Sequence, residues 1–299
     1  MIYNGKEVKT AVALGYFDGL HLAHTTILEK AAAEKSDGII PFVLLFDEHP
    51  QHFISSAAVP SLLQNEKRDE ILKDMGIEKY TVSFAAIREL SPESFVKDIL
   101  IEKLSAAFVV CGYNYRFGKN GAGTADTLRE LAGKYGMGFY MCPEMKHDGS
   151  PISSTRIRAL IEEGAVKEAA AMLGRPFCFA SPVFKGDRRG RTMGFPTINQ
   201  YLPGGFAVPR FGVYVSEVAF AGKTYTGVTN IGSRPTFGEG TVRSETYIIG
   251  FSGDLYGETP EIRLLEFIRP EMKFASAEEL SAQIEKDKKR AEGASQVKN

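Results

Sequence analysis

Hydrophobic and polar positions divide this chain into two textures. Up to about residue 175, short continuous apolar runs alternate with stretches of helical period. "TAVALGYF" (10–17), "GIIPFVLLF" (38–46), "AAFVVCG" (106–112) and "GFYMCPEM" (138–145) read as strands. Most are apolar on both faces, the pattern of a parallel sheet covered by helices on each side. "SPESFVKDIL" (91–100) predicts a helix, with Ser91 as N-cap, Pro92 at the first helical position, and Phe95 and Ile99 on one face. The alternation is that of a doubly wound α/β domain.

Beyond residue 175 the chain is rich in glycine, β-branched and aromatic residues, with turn signals at short intervals. "FGVYVSEVAF" (211–220), "KTYTGVTNIG" (223–232), "SETYIIGF" (244–251) and "EIRLLEFI" (261–268) predict antiparallel strands of a barrel or sandwich. A terminal helix follows, opened by a Ser276/Glu279 capping box, with Ala277, Leu280 and Ile284 as its apolar face. The tail "EKDKKRAEGASQVKN" is expected to fray into charge. No internal repeat or low-complexity linker separates the halves, so the expected domains are 1–178 and 179–299, joined by a short connection.

Composition narrows the class. A length of 299 residues is enough for two cores. The net charge of −1 gives no reason to expect nucleic acid or an anionic membrane as a partner. No apolar run approaches the roughly 20 residues needed to span a bilayer, and "MIYNGKEVKT" lacks the plan of a signal peptide. Cys111, Cys142 and Cys178 are odd in number and widely spaced, which argues for small buried hydrophobes in a reducing cytoplasm.

Candidate chemistry starts at "ALGYFDGLHLAH" (13–24). Four of the five histidines fall in two H-x-x-H pairs, His21/His24 and His49/His52, and four imidazoles suit zinc. Each pair also lies just past a predicted parallel strand, the edge where open α/β sheets bind ligands. Gly15 and Gly19 allow close backbone approach. His21 and His24 open a helix whose free N–H groups favour anions, although helix capping alone would explain them. A second segment, "ISSTRIRALIEEGAVKEAAAMLG" (152–174), carries Ser153, Ser154 and Thr155 before a helix with Ile157, Leu160 and Ile161 on one face. Ser154 is a natural N-cap. Together with Arg156 and Arg158 the three hydroxyls make an oxyanion cradle. In the second half, "FKGDRRGRTMGFPTINQ" (184–200) can wrap phosphates with backbone N–H groups and cationic side chains, or can be a solvated hairpin. Thr197 and Asn199 within it are oxygen donors suited to Mg²⁺, or ordinary strand residues.

"GYFDGLHLAH", "VVCGYNYRFG" (109–118) and "ISSTRIR" (152–158) occur in the order found in bacterial bifunctional riboflavin kinase/FMN adenylyltransferases (FAD synthetases), and the chain resembles that family along essentially its whole length. The resemblance implies a Rossmann-like nucleotidyltransferase domain, then an antiparallel β-barrel riboflavin kinase domain with a terminal helix. It implies two reactions: riboflavin and ATP to FMN, then FMN and ATP to FAD and pyrophosphate, with Mg²⁺. By the same resemblance Gly15, Phe17, Asp18, His21 and His24 serve the α-phosphate of ATP, with the two histidines catalytic. Ser153, Ser154, Thr155 and Arg158 hold its outer phosphates, while His49, Asn114 and Arg116 place the flavin. In the kinase half, "GxxxGRxxGxPTxN" supplies Gly186, Arg191 and Gly194 for phosphate and Thr197 and Asn199 for the metal. Glu245 matches the catalytic carboxylate.

The chain departs from the family pattern at several places. Ala23 stands where glycine separates the histidines, and "LFDEHP" (45–50) stands for TFxPHP, losing a threonine hydroxyl and gaining Asp47. Tyr247 and Gly250 replace a histidine and an aspartate after Glu245, and Ser181-Pro182 occurs where a glycine is usual. These leave two alternatives beside the bifunctional enzyme: an adenylyltransferase with a flavin-binding but weakly active barrel, or a flavin-responsive regulator.

Overall fold

The computed structural model describes residues 1–3, 5–47, 58–186, 190, 194–233 and 241–296. Contacts divide the chain into two compact units, Met1–Val59 with Gln64–Ser154, and Pro60–Leu63 with Thr155–Asn299. The sequence placed the division at 178/179. Helix Val166–Leu173 lies before that expected boundary, and by contacts it goes with the second unit, packing on its sheet and burying Val166, Ala169, Met172 and Leu173.

The first unit is built on five parallel strands: β1 (Lys9–Leu14), β2 (Ile39–Phe46), β3 (Glu78–Val82), β4 (Ala106–Gly112) and β5 (Gly138–Cys142). Their order is β3-β2-β1-β4-β5. The four apolar runs supply the centre and one edge. The other edge, β3, is the polar segment "EKYTV", which alternates too weakly to be seen in the sequence. Helix α1 (Leu22–Ala33) packs on β1, β2 and β4, burying Ile27, Leu28 and Ala31. Helix α2 (Asn65–Asp74) packs on β3. The expected helix at 91–100 begins as predicted, with the Ser91 hydroxyl accepting from the Ser94 N–H at 3.0 Å, and continues as a π-helix, α3 (Phe95–Lys103). The wider winding buries Val96 and Leu100 together with Phe95 and Ile99. Helix α4 (Ala125–Lys134) covers β4 and β5.

Helices α5 (Ser154–Glu163), which belongs to the second unit from Thr155 onward, and α6 (Val166–Leu173) replace the single helical run the sequence suggests. The break is Gly164, whose φ of +83° ends α5 in the left-handed region that glycine adopts readily. Six antiparallel strands follow: β6 (Phe177–Ala180), β7 (Thr197–Tyr201), β8 (Gly212–Phe220), β9 (Lys223–Ser233), β10 (Val242–Ile248) and β11 (Glu261–Arg269). They lie in the order β6-β11-β8-β9-β10-β7. Register shifts between Val213 and Tyr214 and between Val215 and Ser216 curl the sheet. The segment after β6 closes it, because the Phe184 N–H donates to the Asn199 carbonyl at 2.9 Å and the Ser181 hydroxyl to the Tyr201 carbonyl at 2.7 Å. The result is the expected barrel.

The terminal helix α7 (Ala277–Gln296) starts at the expected cap: the Glu279 N–H donates to the Ser276 hydroxyl at 3.2 Å, and Glu279 in turn accepts from the Ala275 N–H at 3.0 Å. Ala277 is exposed, and the contacts that hold the helix lie further along, in the stretch expected to fray. Ala291 is fully buried against Val213, Val215 and Val228. Asp287, 2% exposed, accepts two charge-assisted bonds from Arg269, Nη2 at 2.8 Å and Nε at 3.1 Å, and a third from Gln283 at 2.9 Å. The acidic residue inside a basic run is what anchors it. Removing one partner of a buried pair strands the other charge. Asp287→Ala should therefore destabilise the second unit by about 3 kcal/mol, read as a lower urea midpoint with faster amide exchange along α7.

Candidate active sites

The first site is built on a chain reversal. After β1, Phe17, Gly19 and Leu20 adopt φ values of 55°, 78° and 41° before the chain returns to extended backbone at His21. Phe17 and Leu20 are each 1% exposed, so burial holds a turn that L-residues otherwise avoid. His21 is then the N-cap of α1: its Nδ1 accepts the His24 N–H at 3.3 Å. A neutral imidazole that accepts at Nδ1 carries its proton on Nε2. The His24 ring stacks on that of His21, with centroids 3.6 Å apart and planes 15° apart, and leans on Phe17 at 5.3 Å. Burial holds His24 well below the ordinary histidine pKa, the neighbouring His21 pushes the same way, and the Asp18 backbone opposes them. His24 is therefore held towards its uncharged form at a helix N-terminus.

A cavity of ≈ 520 Å³ opens at the carboxyl ends of the strands. With the order β3-β2-β1-β4-β5, connections leave in opposite directions from β1 and β4, and that is where such sheets bind ligands. Gly15, His21 and His24 reach the cavity from the turn after β1, Asn114 and Arg116 from the loop after β4, and Ser153 and Ser154 from the start of α5. Its remaining wall is mostly apolar and includes the aromatic rings of Phe46, Phe84, Phe95, Tyr115 and Phe117. Phe46 meets Phe84 edge-on at 5.3 Å, and Tyr115 stacks on Phe117 at 5.6 Å.

Several candidate residues take roles the sequence did not assign. Phe17 and Asp18 are buried in the turn and do not line the cavity. Ser154 is the first residue of α5 rather than its cap, and its hydroxyl donates to the Asp18 carbonyl at 3.0 Å, tying the two motifs together. Thr155 and Arg158 belong by contacts to the second unit, and Arg158 Nε donates to the Pro60 carbonyl at 2.7 Å. Asp47 accepts the Phe84 N–H at 3.0 Å and so fixes the short helix Phe84–Ile87, both ends of which line the cavity. Ala23 is on the wall beside the histidines, and Arg88, which carried no sequence signal, joins it. His49, and His52 of the zinc reading, lie outside the described residues. Among the described residues, no group of three or more His, Cys, Asp or Glu side chains is placed to hold a metal.

In the second unit β7 pairs Asn199 with Glu245 and Thr197 with Tyr247, and β9 pairs Asn230 with the same Glu245. Side chains two apart on a strand share a face, so Thr197, Asn199, Glu245 and Asn230 form one polar surface across three strands. Gly186 abuts it: a Cβ there would come 2.6 Å from Asn199 Nδ2. Gly194 has φ of +83°, a turn conformation that glycine supplies, and Arg191 lies outside the described residues. Two residues join this surface that the sequence did not single out. Arg243 donates from Nη2 to Glu245 Oε1, and Glu271 accepts from Asn230 Nδ2 at 3.2 Å.

The depressed pKa of His24 fixes the sign of one pH effect. In the unfolded chain a histidine takes up a proton near pH 6.5, whereas in the folded unit His24 resists it. Below pH 6.5 the unfolded state binds more protons, so stability falls as pH drops from that point towards the folded pKa and is fully present above it. Urea titrations of the protein between pH 5 and 8 should show this slope, and His24→Gln should flatten it.

A family model described as FAD synthetase matches residues 4–156, and one described as riboflavin kinase matches residues 173–294. The chain is 37% identical over 292 residues to the bifunctional riboflavin kinase/FMN adenylyltransferase of Listeria monocytogenes, covering 94% of this chain and 91% of that protein. It is 36% identical to the Bacillus subtilis protein of the same description, covering 96% and 92%. A solved structure from Streptococcus pneumoniae, described as a macrolide-efflux protein, superposes with a TM-score of 0.88 at 32% identity, covering 96% of this chain and 95% of that one. Among the described residues no helix is long and apolar enough to cross a membrane. With both family models matched in sequence and relatives similar over nearly the full length, the chain belongs to the bifunctional riboflavin kinase/FMN adenylyltransferase family.

Proposed function

We propose that the chain carries out both reactions of its family, adenylyl transfer in residues 1–178 and phosphoryl transfer in residues 179–299. The observation that carries the reading is the cavity of the first unit, which gathers Gly15, His21, His24, Asn114, Arg116, Ser153 and Ser154 from three separate segments. In the adenylyl reaction an FMN phosphate oxygen attacks the α-phosphorus of ATP, the bond to the bridging oxygen breaks, and pyrophosphate leaves. The aromatic wall suits a flat ring system. His21 and His24 donate hydrogen bonds to the α-phosphoryl oxygens as their charge grows. Ser153 and Ser154 take the departing phosphates with their hydroxyls. Such a transfer needs positioning and charge stabilisation and no covalent nucleophile.

In the kinase reaction the riboflavin 5′-oxygen bonds to the γ-phosphorus, the bond to the β-bridging oxygen breaks, and ADP leaves. Glu245 accepts the hydroxyl proton as the new bond forms. Thr197, Asn199 and Glu245 offer hydroxyl, amide and carboxylate oxygens on one face, and the Asn199 amide sits in a cradle that a side chain at Gly186 would fill. That donor set fits a small, hard cation such as Mg²⁺, held by Thr197 and Asn199 with the nucleotide. When bound, Mg²⁺ neutralises phosphate charge. The cytoplasm, whose reducing conditions suit buried thiols at Cys111, Cys142 and Cys178, is the compartment this reading implies.

Purified protein with riboflavin, ATP and Mg²⁺ should yield FMN and then FAD on chromatography, and with FMN should yield FAD directly. FAD from FMN with no product from riboflavin would reduce the barrel to a binding module, and no product from either would end the enzymatic reading. Glu245→Gln should cut FMN formation roughly 10²- to 10⁴-fold while leaving FAD formation from FMN intact. Ala23→Gly removes the one methyl on the cavity wall between the histidines. It should lower the KM for ATP in FAD formation alone.

A further inference from the structure

We propose that Arg243 is a positioning residue for the kinase reaction, acting through Glu245; the inference rests on Glu245 being the base. Arg243 and Glu245 lie two apart on β10, and the guanidinium Nη2 donates to Glu245 Oε1. Surface ion pairs of this kind are usually of little consequence, but three features set this one apart. The Arg243 side chain is only 13% exposed, less than half the 34% of its partner, so the cation is the more deeply held member. The cross-strand neighbours of Glu245 are Asn199 and Asn230, whose amides bring no charge, and the Asn230 amide is already engaged by Glu271. The cross-strand neighbours of Arg243 are Tyr201 and Gly232, neither of which offers it a carboxylate, and a Cβ at Gly232 would lie 2.3 Å from Glu271 Oε1, so Gly232 makes room for the Glu271 carboxylate.

The geometry also leaves the chemistry possible. Arg243 engages Oε1, and no described residue bonds Oε2. A carboxylate tethered at one oxygen loses rotamer freedom but keeps the other oxygen as an acceptor for the riboflavin 5′-hydroxyl proton. A glutamate has three side-chain torsions, and without the tether it would sample rotamers that point away from the hydroxyl. Arg243 thus fixes which oxygen faces substrate. Its contribution is to the rate of proton acceptance and not to the binding of riboflavin or ATP.

The test is a double-mutant cycle on FMN formation with the full chain. Arg243→Met should lower kcat roughly 10- to 100-fold, the scale of a misplaced catalytic group, with both KM values unchanged to within about twofold. Arg243→Lys, which keeps a cation on a shorter reach, should recover part of the loss. In a Glu245→Gln background Arg243→Met should cost less than about twofold more, because groups that act as a unit are not additive. A full further loss in that background, or a rise in KM in place of a fall in kcat, would overturn the inference while leaving Glu245 as base. If Glu245→Gln itself retains FMN formation, the assignment of the base and the inference fall together. Thermal unfolding of each variant separates a loss of fold from a loss of rate, and Arg243→Lys carries the comparison should Arg243→Met unfold.

Discussion

The first unit depends on a short run of left-handed backbone between β1 and α1. Two non-glycine residues, Phe17 and Leu20, hold positive φ there, each at a cost on the order of 1–2 kcal/mol. The turn persists because both side chains are withdrawn from water and because Gly15 lets the Phe17 ring fold back: a Cβ at Gly15 would come 3.1 Å from that ring. The consequence is directional. The chain leaves the turn at His21 already extended, so that this residue caps α1 with its ring, and His24, one turn on, stacks against it. An imidazole cap is unusual beside serine or aspartate. It caps the helix with Nδ1 while its other ring nitrogen carries an N–H donor, and an anion site needs donors.

The second unit solves the same problem with pleat instead of turn. Alternation along β8, β9 and β10 sends Ser216, Thr229 and Thr246 inward, where their hydroxyls bond in sequence at 2.7 and 2.9 Å with no exposure. Buried hydroxyls must be paired, and this chain pairs them with one another across strands. A slip of one residue between these strands would break the hydroxyl chain and turn every side chain to the other face. The inward hydroxyls therefore help fix the register that sets Asn199, Glu245 and Asn230 in one row on the opposite face. Structural and chemical polar groups share the same strands without sharing a surface.

What the sequence revealed follows from what each feature looks like locally. Continuous apolar strands, a serine–proline helix start and a Ser276/Glu279 box are short-range signals, and each appears in the structure at its place. Edge strand β3 was hidden because half-exposed residues such as those of "EKYTV" have no strong period. The tail, expected to fray, stays helical to Gln296, with 297–299 outside the described residues; a run of lysines looks solvated unless one knows that Arg269 pairs with Asp287. Ser154 looked like a cap because cap and tether use the same hydroxyl, and only the approach of Asp18 from 136 residues away tells them apart. Arg243 was invisible for the same reason: on a strand, pairing with a residue two along is a matter of side-chain direction and not of motif.

The departures from the family pattern become interpretable once their surroundings are seen. Tyr247 packs edge-on against Phe195 at 5.4 Å, so the ring that replaces a histidine is held beside Thr197 by an aromatic partner. Gly250 has φ of +72°, in the region where glycine is favoured and where aspartate and asparagine are the tolerated substitutes, so the exchange preserves a turn. Ser181 uses both its hydroxyl and its carbonyl to close the barrel, bonding the Tyr201 carbonyl and the Gln200 amide. Asp47 caps the helix that brings Phe84 and Ile87 to the cavity. Thr197, Asn199 and Glu245 themselves are unchanged by these exchanges, Tyr247 beside Thr197 puts a phenol where the family pattern has an imidazole, and each exchange has a packing or turn role of its own. A barrel retained only to bind flavin would have no use for a carboxylate tethered at one oxygen beside two uncharged amides. That arrangement favours a working kinase site over a vestigial one.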